Sequence, residues 1–261
     1  VGNRQCEKES LKMSKYYTPK RARNIYDPNS SNLFRLSRSK IDLYLNCPKC
    51  FYLDRRLGVG QPPGYPFNLN SAVDTLLKKE FDIYRSKGQA HPLMKTAELD
   101  AVPFKHLQID EWRNSLSGGV TYAYPGTNLL ITGSVDDIWQ NKKQELIIVD
   151  YKATSKLEEV TIDADWQKGY KRQMEIYQWL FRKNGFKVSE TGYFVYCNGL
   201  TNKEIFNNRL EFEISLIPYQ GNDGWVDDTI KKIYACLQSD QVPMSGEECQ
   251  FCQYREAVRN I

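Results

Sequence analysis

Hydrophobic and polar positions are patterned most clearly between Leu129 and Lys152. Leu129, Leu130 and Ile131 lead through Gly133 to Val135, a polar stretch follows from Gln140 to Gln144, and Leu146, Ile147, Ile148 and Val149 make a second apolar run. That pattern predicts a β-hairpin. Asp136 and Asp150 then fall at neighbouring strand positions. Side chains alternate along a strand, so Asp150 and Lys152 share one face while Tyr151 takes the other. A carboxylate and an ammonium on one face, directly after an apolar strand, are costly to bury unless something polar is bound there.

Helical spacing accounts for much of the rest. Ile41, Tyr44 and Leu45 predict a helix starting at Ser37 or Ser39 and ending near Asn46, with Cys47-Pro-Lys-Cys50 as the turn after it. Gly58 to Pro66 is a loop. Val73, Leu76, Leu77, Phe81 and Tyr84 predict a helix over about Asn70 to Tyr84, with Asp74 one position off its core register. Trp166, Tyr170, Met174, Tyr177 and Leu180 predict another from Ala164 to Lys183, on which Gln173 and Tyr177 are neighbours. Pro103 to Trp112 reads as a short helix and Trp225 to Ser239 as a last one. Strands are expected at Tyr122–Tyr124, Lys187–Asn198 and around Leu210, Phe212 and Ile214. This order predicts an α/β fold in which a mixed central sheet is flanked by helices.

The length of 261 residues allows one sizeable α/β domain. Residues 1–35, with Lys12, Lys15, Lys20, Arg21 and Arg23 among tyrosines and prolines, read as a flexible basic arm, and 36–261 as a single domain. Met13 is a candidate initiator behind a leader. No apolar run approaches the roughly 18 residues of a membrane span, and the polar N-terminus is unlike a signal peptide, so a cytoplasmic protein without a membrane partner is expected. The net charge of +4 does not by itself imply nucleic acid.

Candidate chemistry lies in Asp74, Asp136, Asp150 and Lys152, with Gln173 and Tyr177 supplied by the following helix. Carboxylates converging at strand ends suit Mg²⁺ or Mn²⁺, with Asp74, Asp136 and Asp150 as ligands. Such an ion and a lysine together serve phosphoryl chemistry. Taken singly, Asp136 or Asp137 is a turn residue, Asp74 a cap or the partner of a lysine, and Lys152 a surface charge. His91 and His106 lack metal-ligand spacing. Of seven cysteines, Cys47/Cys50 and Cys249/Cys252 form two C-x-x-C pairs far apart in the chain. Shared thiolates would clamp distant segments around Zn²⁺ or a 4Fe-4S cluster.

Three segments, Gly133-Ser-Val-Asp136, Ile148-Val-Asp150-Tyr-Lys152 and Gln173-x-x-x-Tyr177, together resemble the RecB-like branch of the PD-(D/E)XK nuclease superfamily, over about Ser39 to Arg255. The resemblance implies a restriction-endonuclease-like fold in which Asp136, Asp150 and Lys152 bind metal and hydrolyse phosphodiesters, with Gln173 and Tyr177 helping to hold the site and the DNA. That branch usually carries a histidine on its first core helix. The matching position here is Asp74, in Asn70-Ser-Ala-Val-Asp74. CRISPR-adaptation and AddB-type nucleases of the branch bind a 4Fe-4S cluster through one upstream and three downstream cysteines. Cys47, Cys249 and Cys252 match three of these, and Cys50 replaces the missing last one, which weights the reading toward iron over zinc. The implied partner is DNA with single-stranded ends, cut by exonuclease or flap-type action, with a protein partner from a repair or CRISPR-adaptation complex. Arg35, Arg38, Lys40, Arg55, Arg56, Lys168, Lys171 and Arg172 are candidates to touch its backbone. The competing readings are an inactive nucleic-acid-binding protein on a nuclease fold and a zinc-stabilised scaffold.

Overall fold

The computed structural model describes residues 18–64, 67–259 and 261. Cys6, Lys12, Met13 and Lys15 lie outside the described residues. The elements run β1 (Phe34–Ser37), α1 (Arg38–Asn46), α2 (Pro48–Arg55), α3 (Asn68–Lys87), α4 (Pro92–Thr96), β2 (Ala101–Pro103), α5 (Ile109–Arg113), β3 (Val120–Ala123), β4 (Leu129–Gly133), β5 (Asp137–Asn141), β6 (Leu146–Thr154), α6 (Lys168–Lys183), β7 (Thr191–Gly199), β8 (Phe212–Gln220), α7 (Val226–Gln238) and α8 (Gln250–Arg259). None of the described helices is long and apolar enough to cross a membrane.

The architecture is mixed α/β, as expected, but its strands fall into two sheets. A three-stranded sheet has the order β1-β4-β3, and a five-stranded sheet has the order β2-β5-β6-β7-β8. In the larger sheet only β6 and β7 pair in parallel, and their connection runs through α6. That helix packs on β3 and β4 as well as on β6 and α1. Gln173 to Phe181 are all buried, more than two full turns of helix with no solvent face. Met174, Ile176, Leu180 and Phe181 are fully enclosed, each contributing about 1.5–3 kcal/mol by burial. A second cluster, on the side of the large sheet toward α3, holds Leu77, Phe81, Trp139, Ile147, Val149 and Val195.

Several expectations change at this level. The hairpin is β5–β6, with Asp137 opposite Val149. Leu129–Gly133 belongs instead to the smaller sheet, because the chain breaks strand geometry at Ser134–Asp136 where it passes α6. Cys47-Pro-Lys-Cys50 is not a turn after a helix. Cys47 is the N-cap of α2, Pro48 opens that helix, and Cys50 lies in its first turn, in keeping with the tolerance for proline at N1. Leu76 and Trp166, read as core, are well exposed: Leu76 lies beside the buried stripe of Leu77 and Phe81 on α3, and Trp166 sits in a short 3-10 turn before α6 begins. Residues 18–35 do not form a detached arm. Tyr26 is buried in the main core, its hydroxyl donates to Asn128 at 2.9 Å, and β1 begins at Phe34.

The contact between β4 and α6 tolerates no side chain at Gly133. A Cβ there would lie 2.6 Å from Tyr177 Cε1 and 3.0 Å from Leu180 Cδ1. Gly133→Ala is therefore expected to cost about 1–3 kcal/mol through overpacking, read as a lowered midpoint in urea denaturation. An unchanged midpoint would show that α6 is free to move away.

Candidate active site

The register of β5 on β6 brings Asp136 and Asp150 together. Asp136 lies one residue before β5, and its Oδ2 accepts the Tyr151 backbone N–H at 2.9 Å. Asp150 is fully buried, and its Oδ1 accepts from Gln173 Nε2 at 2.6 Å. The same amide nitrogen donates to the Tyr177 hydroxyl at 3.2 Å. Gln173 and Tyr177, one turn apart on α6, thus brace one edge of the carboxylate. The other oxygen, Oδ2, accepts no well-directed hydrogen bond and faces the Lys152 ammonium in an ion pair. Lys152 Nζ also lies 4.4 Å above the Tyr170 ring. Burial pushes the Asp150 carboxyl up to about 6; Lys152 pulls against this, and the neighbouring Asp136 charge adds to it.

Asp74 comes toward this group from α3. Lys78, one turn further along α3, lies 2.9 Å from Asp74 and 3.7 Å from Asp136, so an ammonium stands between the two carboxylates. Burial and then the Asp136 charge raise the Asp74 carboxyl. Asp74, Asp136 and Asp150 do not bring ligand atoms within 4.8 Å of one another; among the described residues the four paired cysteines do. Lys78 carried no sequence signal beyond its spacing from Asp74. Arg38, in the first turn of α1, also faces the site: burial alone would lower its guanidinium, and the Tyr177 phenol and the Asp150 charge more than reverse that. Asp150 and the neighbouring Asp136 present hard carboxylate oxygens of the kind a small divalent cation takes.

The reverse face of the same two strands carries a second charged group that the sequence did not single out. Asp137 is fully buried. Its Oδ1 accepts from Arg113 Nη2 at 2.6 Å, from its neighbour's backbone, Ile138 N, at 2.8 Å, and from Arg85. Its Oδ2 accepts from the Tyr151 hydroxyl at 2.9 Å and Trp139 Nε1 at 3.2 Å. Asp82 closes the network by pairing with Arg85 and Arg113, both at 2.9 Å. Burial and then the Asp137 charge drive the Tyr151 phenol well above its usual range.

The cysteine pairs meet as their spacing suggested. Cys50 Sγ is 3.5 Å from Cys249 and 3.6 Å from Cys252, and Cys47 Sγ is 3.8 Å from Cys252. They join the start of α2 to the segment entering α8, and Gly246 lets the two backbones approach: a Cβ there would lie 2.1 Å from the Asn46 carbonyl. Burial pushes the Cys47 thiol up, but the Gly246 and Cys50 backbone N–H groups and the adjoining thiols bring it down to about 7, whereas burial raises the Cys50 and Cys252 thiols, so without an ion these three share few negative charges. Four sulfurs around one ion at about 2.3 Å stand about 3.8 Å apart, close to this spacing.

With this geometry in place, comparison with known proteins assigns a family. The sequence model of the PD-(D/E)XK nuclease superfamily matches residues 69–257, and the chain belongs to that superfamily. The match takes in the carboxylates, Lys152, Gln173, Tyr177 and the second cysteine pair, and leaves Cys47 and Cys50 upstream. Among solved structures, the one titled "Crystal structure of SSO0001" is similar with a TM-score of 0.39 and 14% identity, over 85% of this chain and 84% of that one. No curated protein sequence matches.

Removing one member of a buried ion network strands the others. Asp137→Asn is therefore expected to lower stability by about 3–5 kcal/mol, measured by chemical denaturation. A wild-type midpoint would mean that Arg85 and Arg113 are neutralised sufficiently by Asp82.

Proposed function

We propose that the chain is a metal-dependent deoxyribonuclease that hydrolyses phosphodiester bonds, acting on single-stranded DNA ends by exonuclease or flap-type cleavage. One observation carries the reading. Asp150 is a fully buried carboxylate with one oxygen fixed by Gln173 and the other paired with Lys152, and it lies beside a second carboxylate, Asp136. Holding two carboxylates together, one of them fully buried, is costly unless cations stand beside them.

Asp136 and Asp150 would hold Mg²⁺ or Mn²⁺, with Asp74 as an outer carboxylate balanced by Lys78. When bound, the ion polarises a phosphoryl oxygen and makes its bound water more acidic. Gln173 and Tyr177 keep Asp150 in one orientation through the reaction. Lys152, held over Tyr170, orients the attacking water and offsets the negative charge that develops on the phosphoryl oxygens. The single-strand preference draws support from Trp166, which is 59% exposed. Its ring stands edge-on to Tyr170 at 5.6 Å and offers an unpaired base a surface on which to stack.

The cysteines are read as a structural site for one tetrahedral zinc ion, which fastens α2 to α8 around the nuclease fold. Their spacing supports a single ion over the 4Fe-4S cluster favoured by the sequence resemblance, since a cluster sets each thiolate on a separate iron and so spreads them.

Labelled single-stranded DNA incubated with Mg²⁺ or Mn²⁺ is expected to be cut, and Asp150→Ala or Lys152→Ala to slow cutting by about a hundredfold or more. Inert wild-type protein with both ions would overturn the nuclease reading, and equally active variants would move the site elsewhere. Anaerobically purified protein is expected to be colourless, with one zinc per chain and a melting temperature that falls on strong chelation. A brown protein with four irons would replace zinc by the cluster.

A further inference from the structure

Eight basic residues stand out in the sequence as candidates to meet a nucleic-acid backbone, and the fold divides them sharply. Six are paired with carboxylates within the chain, two of them sharing Asp54 with Arg21. Asp54 takes Lys40 and Arg55, both at 2.8 Å, Asp240 takes Arg56 at 2.9 Å, and Asp165 takes Lys168 at 2.9 Å. Asp163 takes Lys171 at 3.0 Å, and Asp42 takes Arg172 at 2.7 Å. Arg35 and Arg38 are the two that form no ion pair among the described residues.

These two guanidinium groups line the same cavity. They stand three residues apart across the junction where β1 becomes α1, and the cavity between them has a volume of about 550 Å³, within the range that takes a small ligand. Its wall includes the hydroxyl residues Ser37, Ser39, Thr132 and Ser134. Asp136 is the one carboxylate on its surface, and it opens directly onto Gln173 and Tyr177. Arg35 is already aimed: its Nη2 donates to the Gly118 carbonyl at 2.9 Å and to Thr132 Oγ1 at 3.2 Å, which leaves its remaining N–H groups for a ligand. Ser37 makes no side-chain hydrogen bond to cap α1, so the first-turn N–H groups of that helix are not used by its cap either.

Planar forks of N–H donors without a carboxylate of their own, ringed by hydroxyls, match the tetrahedral oxygens of a phosphate better than any neutral ligand. Resting on the nuclease reading, we propose that Arg35 and Arg38 form a phosphate subsite that grips the phosphate neighbouring the scissile one. The phosphate is either the terminal monoester of the strand or the adjoining internal diester; the two share the same chemistry. Held there, the strand is registered against Asp136 and Asp150, and the distance from subsite to carboxylates fixes how far from the gripped phosphate the strand is cut. Arg35 and Arg38 act through substrate position, so their loss falls on KM more than on kcat.

The test uses the full chain and three oligonucleotides of one sequence, with a 5′-phosphate, a 3′-phosphate or no terminal phosphate, bound in Ca²⁺ across a salt series. Arg38→Ala and Arg35→Ala are each expected to weaken binding about tenfold and to reduce the salt slope by about 0.7 on single strands. Arg38→Lys should restore part of the slope. A loss confined to one end-phosphorylated strand assigns the terminal monoester, and an equal loss on all three assigns the internal diester. Wild-type affinity and slope in both alanine variants would overturn the subsite while leaving the nuclease reading intact. In parallel, ³¹P line broadening of inorganic phosphate in EDTA reads the cavity without DNA. Broadening by wild type that is lost in Arg35→Ala/Arg38→Ala supports the subsite even if no DNA is cut, and no broadening together with no DNA binding overturns it.

Discussion

The structure depends on one ladder, β5 against β6, which carries charge on both faces. On the back, Asp137 is gripped by Arg85, Arg113, Tyr151 and Trp139; on the front, Asp136, Asp150 and Lys152 converge. Strand alternation ties the two together, since Asp136 precedes Asp137 and Tyr151 separates Asp150 from Lys152. A slip of one residue would send every one of these groups to the wrong face. The buried network behind the sheet therefore fixes the register on which the front depends, and its charges are tolerable because each has several partners.

Helix α6 supplies the second constraint. It is buried on every side through Gln173–Phe181, and its rotation is set by apolar packing together with buried polar contacts, in which Glu175 accepts from Tyr219 and Trp225 and Gln178 donates to the Ser189 and Glu190 carbonyls. Gln173 and Tyr177 are consequently delivered to Asp150 by the packing of Met174 and Ile176 and the anchoring of Glu175 between them. Gly133 permits the close approach on the other side. Gly133, Gln173 and Tyr177 are thus one mechanical unit, in which the glycine makes room for the tyrosine and the glutamine holds the Asp150 carboxylate.

The cysteines and the cationic cavity lie at the two ends of α1. Its C-terminal end leads into Cys47 and Cys50, which face Cys249 and Cys252, while its N-terminal end carries Arg38 beside Tyr177. A metal-bound sulfur clamp at one end would hold the helix in place, and through it the cavity that borders the carboxylates.

Much of the site was legible because its geometry is local. The D-x-K pair on one strand face, Gln173 and Tyr177 one helical turn apart, and two C-x-x-C pairs in one chain follow from periods of two and 3.6 residues and from metal-ligand spacing. What periodicity could not reach depends on contacts between distant segments. Asp137 looked like a turn residue because its partners Arg85 and Arg113 come from α3 and α5. Lys78 was one helical lysine among several until α3 was laid against Asp136. Leu129–Gly133 continued the apolar pattern of the hairpin yet belongs to another sheet, since a run of apolar residues does not say which strand it pairs with. The basic residues were equal candidates in the sequence, and only the tertiary structure, by placing a carboxylate beside six of the eight, set Arg35 and Arg38 apart as the two without an ion pair among the described residues.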